Sequence, residues 1–155
     1  DFFGGHDYRR QIWFDAKWMR WLGDWPQAEL VRRLADYDWG ICVMSVTDDQ
    51  PRYHRYSFPT KFITYLAGGT PVLALGHPQS SLIRMAGRYS TGVCLDGCDE
   101  TTMLSVLKGA LQQNAPRRRY QDGLAECARE EFDAARNRRN LMTWLNRQCP
   151  QELAG

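Results

Sequence analysis

Short apolar runs alternate along this chain with segments whose apolar residues recur at helical spacing. Four apolar runs predict buried strands, at Lys17–Leu22, Trp39–Val46, Val72–Leu75 and Gly92–Leu95. The helical spacing predicts helices over Pro26–Tyr37, from a Ser57 cap to Gly68, over Ser80–Ala86, from an Asp99 cap to Leu111, and over Tyr120–Arg147. This alternation predicts a Rossmann-like α/β fold with three α/β/α layers, in which a mainly parallel sheet is covered on both faces.

Three stretches interrupt the pattern. Residues 1–16 are aromatic and charged, and we interpret them either as a linker or as a first helix. The polar stretch Thr47–Tyr56 is predicted to be a long loop after a strand, a place where functional residues are often found. Pro116–Arg119 is predicted to be a turn. A length of 155 residues suits one domain with a good core, so residues 1–155 are predicted to form a single domain.

The segment from Ser57 to Ala74 carries the most specific pattern. Ser57 is a typical capping residue, Pro59 suits a first helical turn, and Lys61 adds positive charge where the helix dipole is already positive. A helix start of this kind attracts phosphate. Gly68 and Gly69 are then predicted to end the helix, before a buried parallel strand.

The overall charge bounds the class of partner. The chain carries 20 basic and 18 acidic residues, and this balance does not favour a nucleic-acid partner. Residues 51–116 carry six basic and three acidic side chains, so positive charge concentrates around the predicted phosphate site. The arginines of 117–119 and 136–139 are predicted to be exposed charges, with contact to a membrane surface as the alternative.

The order of strand, loop, helix, Gly-Gly-Thr-Pro-Val turn and strand resembles the C-terminal, donor-binding domain of retaining GT-B glycosyltransferases of group 1. The resemblance extends over roughly Trp18 to Leu145, and it is most specific from Ala35 to Ala74. It implies one half of a GT-B enzyme of hexosyltransferase type, whose acceptor-binding N-terminal domain is absent. The isolated half is then expected to bind a nucleotide-sugar and to be inactive, and no metal or cofactor is expected.

The resemblance also implies which residues bind the donor. Ser57, Phe58, Pro59 and Thr60 would offer backbone N–H groups and hydroxyls to the diphosphate, with Lys61 as a charged contact. Trp25 would stack on the base, although packing before a helix is the simpler role for that side chain. Ser45, at the end of a predicted strand, would face the same crevice. No catalytic residue is identified.

One position departs from the family pattern. The family usually has a glutamate five residues before the glycine of the turn, where it holds the ribose hydroxyls, and here that position is Thr64. A second, commonly acidic position falls near Tyr56 or Ser57. A threonine cannot accept two hydroxyl hydrogen bonds as a carboxylate does. The alternative function is therefore a non-catalytic Rossmann-like binding or assembly module derived from such a domain.

The remaining chemistry-bearing residues support no further site. His54, Arg52 and Arg55 are candidates for phosphate or sugar contact, but a solvated loop is the simpler interpretation. The odd count of five cysteines and the lone spacing of Cys94 and Cys98 argue against zinc and for a reducing, cytoplasmic location. No apolar run approaches the ~20 residues of a membrane span, so membrane contact is expected to be peripheral, on the inner face.

Overall fold

The carboxyl ends of three parallel strands define the edge of the molecule at which the predicted site lies. A computed structural model describes residues 1–47, 51–96 and 99–148. The strands are β1 (Gly40–Val43), β2 (Val72–Gly76) and β3 (Gly92–Asp96). The helices are α1 (Gln27–Leu34), α2 (Pro51–Tyr56), α3 (Thr60–Ala67), α4 (Ser81–Tyr89), α5 (Glu100–Leu111), α6 (Pro116–Glu131) and α7 (Ala134–Gln148), and a 3-10 turn spans Tyr8–Arg10.

The sheet has the order β1-β2-β3, and both neighbouring pairs are parallel. Ile41 lies beside Leu73, and Leu73 lies beside Val93, so their side chains share one face of the sheet. Each strand is followed by a helix before the next strand begins, which is the connection that parallel strands require. The predicted Rossmann-like α/β fold with a parallel sheet is confirmed.

The main core lies on the sheet face that carries Cys42, Val72 and Ala74. Three helices cover this face and contribute fully or almost fully buried side chains: Phe62 and Leu66 from α3, Leu82 and Ala86 from α4, and Leu124 and Cys127 from α6. Gly69 ends the α3 region with a positive φ of 59°, as its glycine predicts. Because β2 follows directly, the end of α3 lies near the amino end of β2, and the carboxyl end of the sheet lies on the side where α3 begins.

The opposite face of the sheet is covered unevenly. Leu73 and Leu95 are buried there, and α5 packs against β3. Ile41 and Val43 of the edge strand β1, in contrast, are 62% and 57% exposed. The prediction that the sheet is covered on both faces is therefore wrong at β1, because no described helix reaches that side of the edge strand.

Several predicted elements change in extent. Lys17–Leu22 is not a strand, because only Trp21 forms an isolated bridge, with Phe2. The predicted loop Thr47–Tyr56 contains α2. Pro116–Arg119 is not a turn but the first turn of α6, where proline at the first position is favourable. The predicted helix Tyr120–Arg147 is two helices, which are separated at Phe132 and Asp133.

Residues 1–25 form a small aromatic layer beside α1. The rings of Phe2, Tyr8 and Trp13 lie within 5.7 Å of one another, and Asp1 forms an ion pair with Arg20 at 2.7 Å. Apart from the 3-10 turn, this segment contains no helix, so the first-helix alternative is wrong. Within residues 1–47, 51–96 and 99–148, no helix combines the length and the apolar character that crossing a membrane requires.

Candidate functional site

A cavity of about 440 Å³ opens at the carboxyl end of β1, where the chain passes through α2 and enters α3. Ligands of open parallel sheets bind at this edge, because strand ends and helix starts converge there. The cavity is lined by Val43, Met44, Ser45, Tyr53, Ser57, Phe58, Pro59 and Thr60. Five of the eight residues that the sequence assigns to donor binding therefore line one cavity, namely Ser45, Ser57, Phe58, Pro59 and Thr60.

The start of α3 differs from the predicted one by two residues. Pro59 occupies the capping position with φ −75° and ψ 119°, and the helix begins at Thr60. A residue that precedes proline is restricted to extended backbone, so Phe58 cannot be helical and Ser57 lies too early to cap. The prediction that Ser57 caps the helix is wrong, and no side chain caps α3.

The first turn of α3 consequently has unused hydrogen-bond donors. Among the described residues, the backbone N–H groups of Phe58, Thr60 and Lys61 have no acceptor, whereas the N–H of Phe62 already donates to the Pro59 carbonyl at 3.1 Å. The first N–H groups of any helix need partners from outside the helix. Here they combine with the positive end of the helix dipole, which favours an anionic partner.

The segment before α3 is held in place from two sides. The Ser81 hydroxyl at the start of α4 donates to the Ser57 carbonyl, and the Ser57 N–H donates to the Tyr53 carbonyl at 2.9 Å. The Phe58 ring packs edge-on against Phe62, with ring centroids 5.3 Å apart, and lies near Phe132 at 5.7 Å. The backbone around the free N–H groups is thus positioned by the core and by α4.

Lys61 is exposed at the second position of α3, and its ammonium group acts on the neighbouring end of β1. Burial raises the pKa of the Cys42 thiol to about 11, against the lowering effects of the Lys61 charge and of the Phe62 backbone N–H. Cys42 is therefore a protonated packing group rather than a nucleophile. Lys61 does not line the cavity, but its charge lies at the same helix start.

The other two predicted side chains are engaged elsewhere. The Thr64 hydroxyl, one turn into α3, donates to the Thr60 carbonyl at 3.5 Å, and Thr64 does not line the cavity. The Trp25 ring is covered by the Arg33 guanidinium at 4.2 Å, and its Nε1–H donates to the Leu22 carbonyl at 2.7 Å. Trp25 thus packs before α1, as its simpler interpretation states, and it is not brought to the cavity.

The helix α2 forms one wall of the site and was missed by the sequence analysis. Tyr53 lines the cavity, while His54 is only 1% exposed and stacks on His77 with ring centroids 5.5 Å apart. Arg55 donates to the Gln79 side chain at 3.2 Å, which connects α2 to the loop before α4. His54 is therefore a packing residue in this structure and not the solvated loop residue that was predicted.

Acidic and metal-binding groups do not characterise this cavity. None of the described residues that line it is acidic. In the part of the chain that the structure describes, no group of three or more His, Cys, Asp or Glu side chains is arranged to hold a metal ion. Two adjacent acidic residues of the predicted loop Thr47–Tyr56, Asp48 and Asp49, lie outside the described residues, and so does Cys98 of the lone cysteine spacing.

The fold and the cavity together define a class of protein. The chain is a Rossmann-like α/β protein with a cavity at the carboxyl edge of its parallel sheet, next to an uncapped helix start. Comparison with protein-family models, with curated proteins and with solved structures finds no match for this chain.

Proposed function

We propose that this chain is the nucleotide-sugar-binding domain of a GT-B glycosyltransferase, and that the cavity beside α3 holds the diphosphate of the donor. The proposal rests mainly on one observation: Ser45 and the Ser57–Thr60 segment line the same cavity, next to a helix start whose N–H groups are free among the described residues. Its second support is the resemblance of Ser57–Ala74 to the donor-binding motif of that family. A volume of about 440 Å³ is within the range of small-ligand sites.

The chemistry proposed for this half of the enzyme is electrostatic. When the sugar is transferred, negative charge grows on the departing nucleoside diphosphate. The N–H groups of Thr60 and Lys61, the helix dipole and the Lys61 ammonium would stabilise that charge without having to reorganise. None of the described lining residues is a carboxylate or a histidine that could act as a general acid or base, and the acceptor would be held by the other half of the enzyme.

The second candidate function is a non-catalytic binding or assembly module. The observation that favours it is that no described residue of the cavity lining carries a carboxylate, together with the use of the Thr64 hydroxyl within its own helix. Without a carboxylate, the two ribose hydroxyls have no bidentate acceptor. If this alternative holds, the folded chain will not bind nucleotides, and replacement of Thr64 by glutamate is expected to create or strengthen binding.

The main proposal is tested by calorimetric titration of the chain with UDP, GDP, ADP and TDP. The informative variant is Thr60→Pro, because proline is tolerated at the first helical position but lacks the N–H. Thr60→Ala is the matched control, since it removes the hydroxyl and retains the N–H. We expect about tenfold weaker binding for Thr60→Pro than for Thr60→Ala, the loss of one charge-assisted hydrogen bond.

A second pair of variants tests the charge at the helix start. Lys61→Ala is expected to weaken binding of the preferred nucleotide by roughly fivefold, because one positive charge near the diphosphate is lost. Lys108→Ala removes an equally exposed lysine from α5 and should leave binding unchanged. Absence of binding of every nucleotide to the folded chain, or equal affinities for the two Thr60 variants, would refute the proposal.

A further inference from the structure

The helix α7 carries apolar side chains that the rest of the described structure leaves exposed. None of its 15 residues is buried. Leu141 and Trp144 are 55% and 57% exposed, and Leu145 is 38% exposed. An isolated helix of this length is marginal in water, because its formation depends on packing of an apolar face. The exposed residues of α7 therefore need a partner that the described residues do not supply.

The apolar residues of α7 form one face. At 100° per residue, Leu141, Trp144 and Leu145 fall within an arc of about 100°, and Met142 borders it. Arg138 and Arg147 lie beyond the two borders of this arc, by about 20° and about 60°, and Arg136 and Arg139 project from the opposite side of the helix. This arrangement, with Trp and Leu on one side and arginine on the other, is typical of a helix that lies in the plane of a lipid interface.

The charge of α7 has one sign. Its sequence contains four arginines, at 136, 138, 139 and 147, and no aspartate or glutamate. Arg136 is neutralised by Glu130 of α6, at 2.5 Å. Among the described residues, Arg138, Arg139 and Arg147 form no ion pair. Among these charges, which are unpaired within the described residues, Arg138 and Arg147 flank the apolar face and Arg139 lies opposite it, and their electrostatic complement is a negatively charged surface.

We propose that α7 binds the surface of an anionic lipid bilayer, with Leu141, Trp144 and Leu145 in the interfacial layer and the arginines at the lipid phosphates. An anionic bilayer satisfies both observations at once, because it offers an apolar layer beneath a continuous sheet of negative charge. A protein groove would need to be apolar and also acidic along both borders. The inference depends on α7 alone and is independent of the nucleotide site.

Co-sedimentation of the full chain with vesicles tests the inference. We expect binding to vesicles of equimolar phosphatidylcholine and phosphatidylglycerol, much weaker binding to pure phosphatidylcholine, and a loss of binding as salt is raised. Failure of the chain to bind the anionic vesicles would overturn the inference. If neither the chain nor its Leu141→Asp variant bound vesicles, and the substitution abolished self-association of the chain, the inference would be overturned. The partner of α7 would then be a second copy of the chain.

Two matched pairs of variants separate the apolar and the charged contributions. Leu141→Asp is expected to weaken binding to anionic vesicles by at least about tenfold, whereas Leu111→Asp, at a similarly exposed leucine of α5, should not. The double variant Arg138→Gln, Arg139→Gln should bind roughly 30-fold more weakly. The control double variant Arg10→Gln, Arg32→Gln removes the same amount of charge from outside α7. If both double variants bound the anionic vesicles equally weakly, a role specific to α7 would be contradicted.

Discussion

The side chain of Arg117 connects three helices, and its replacement is predicted to destabilise the fold more than any change at its neighbouring arginines. The five N–H groups of its guanidinium make six hydrogen-bond contacts, one N–H being shared between two acceptors, with the carbonyls of Leu34, Tyr37, Gly68 and Gly69 and with the Thr70 hydroxyl, over distances of 2.7–3.2 Å. Leu34 ends α1, and Gly68 and Gly69 follow α3. The negative ends of two helix dipoles thus meet one positive charge.

The magnitude follows from the acceptors that would be left without a partner. The Leu34 carbonyl keeps the Thr70 hydroxyl at 2.8 Å as a donor. The carbonyls of Tyr37, Gly68 and Gly69 have no other donor among the described residues. At about 1 kcal/mol for each carbonyl, Arg117→Ala should lower the free energy of unfolding by about 3 kcal/mol. Arg117→Lys keeps the charge but not the planar fork, so about half of that loss is expected.

Urea unfolding followed by tryptophan fluorescence measures this effect, with Arg118→Ala and Arg119→Ala as controls in the same helical turn. Both control side chains are exposed, and each substitution should change the free energy of unfolding by less than about 0.5 kcal/mol. If Arg117→Ala were as stable as the two controls, the six hydrogen bonds would not contribute to stability, and our reasoning about the helix ends would be refuted.

Two further predictions concern close packing and alkaline pH. A Cβ atom on Gly123 of α6 would lie 2.0 Å from the Tyr89 carbonyl oxygen, whereas one on Gly109 of α5 meets nothing within 4 Å. In thermal unfolding, Gly123→Ala should therefore lower the free energy of unfolding by at least about 2 kcal/mol, while Gly109→Ala should raise it by about 0.5–1 kcal/mol. A Gly123→Ala variant more stable than the original chain would contradict the close packing at Gly123. Burial raises the pKa of Cys42 to about 11 from its ordinary 9.0. The unfolded chain then loses a proton that the folded chain keeps, so stability present below pH 9 should fall as the pH rises toward 11. In urea unfolding across this pH range, the free energy of unfolding of Cys42→Ala should fall less steeply with pH than that of the original chain. An unchanged slope would contradict the raised pKa of Cys42.

Sequence reasoning predicted the strands best where the apolar run was short and bounded by turn residues. Val72–Leu75 and Gly92–Leu95 each match the observed strand to within one residue, and Asp99 caps α5 as predicted, whereas Ser80, predicted as the first residue of a helix, caps α4. Lys17–Leu22 was mispredicted because only Trp21 bridges to Phe2, its ring is covered by the Arg9 guanidinium at 4.6 Å, and Trp18 is 75% exposed. Large aromatic side chains produce the same apolar signal inside and outside a sheet.

The candidate site was predicted in part, because most of its residues are contiguous in sequence. The segment Ser57–Thr60 is local, and one motif was enough to find it. The contributions of α2 and of Ser81 depend on how α2 packs against α4, and no spacing in the sequence carries that information. Arg117 was interpreted as an exposed charge because its acceptors are backbone carbonyls far away along the chain, and backbone groups leave no trace in a sequence.

The way in which α3 begins bears on why a diphosphate is the proposed ligand. Among the described residues, three other α-helices are stabilised at their starts by side-chain oxygens, from Ser80 in α4, Asp99 in α5 and Asp133 in α7, and α1 has Glu29 in its first turn. The first turn of α3 has no cap and no acidic side chain, and Lys61 increases its positive charge.

A serine or aspartate at position 59 would stabilise α3 by about 1 kcal/mol, but its oxygen would occupy N–H groups of the first turn, such as that of Lys61. Pro59 leaves those groups free, and the hydrogen bond from Ser81 to the Ser57 carbonyl keeps the preceding backbone in position. A bound phosphate oxygen would replace the missing cap and would stabilise the helix through the same N–H groups. For this reason, nucleotide binding to the chain is expected to raise its thermal stability, and Thr60→Pro should reduce that increase more than Thr60→Ala does.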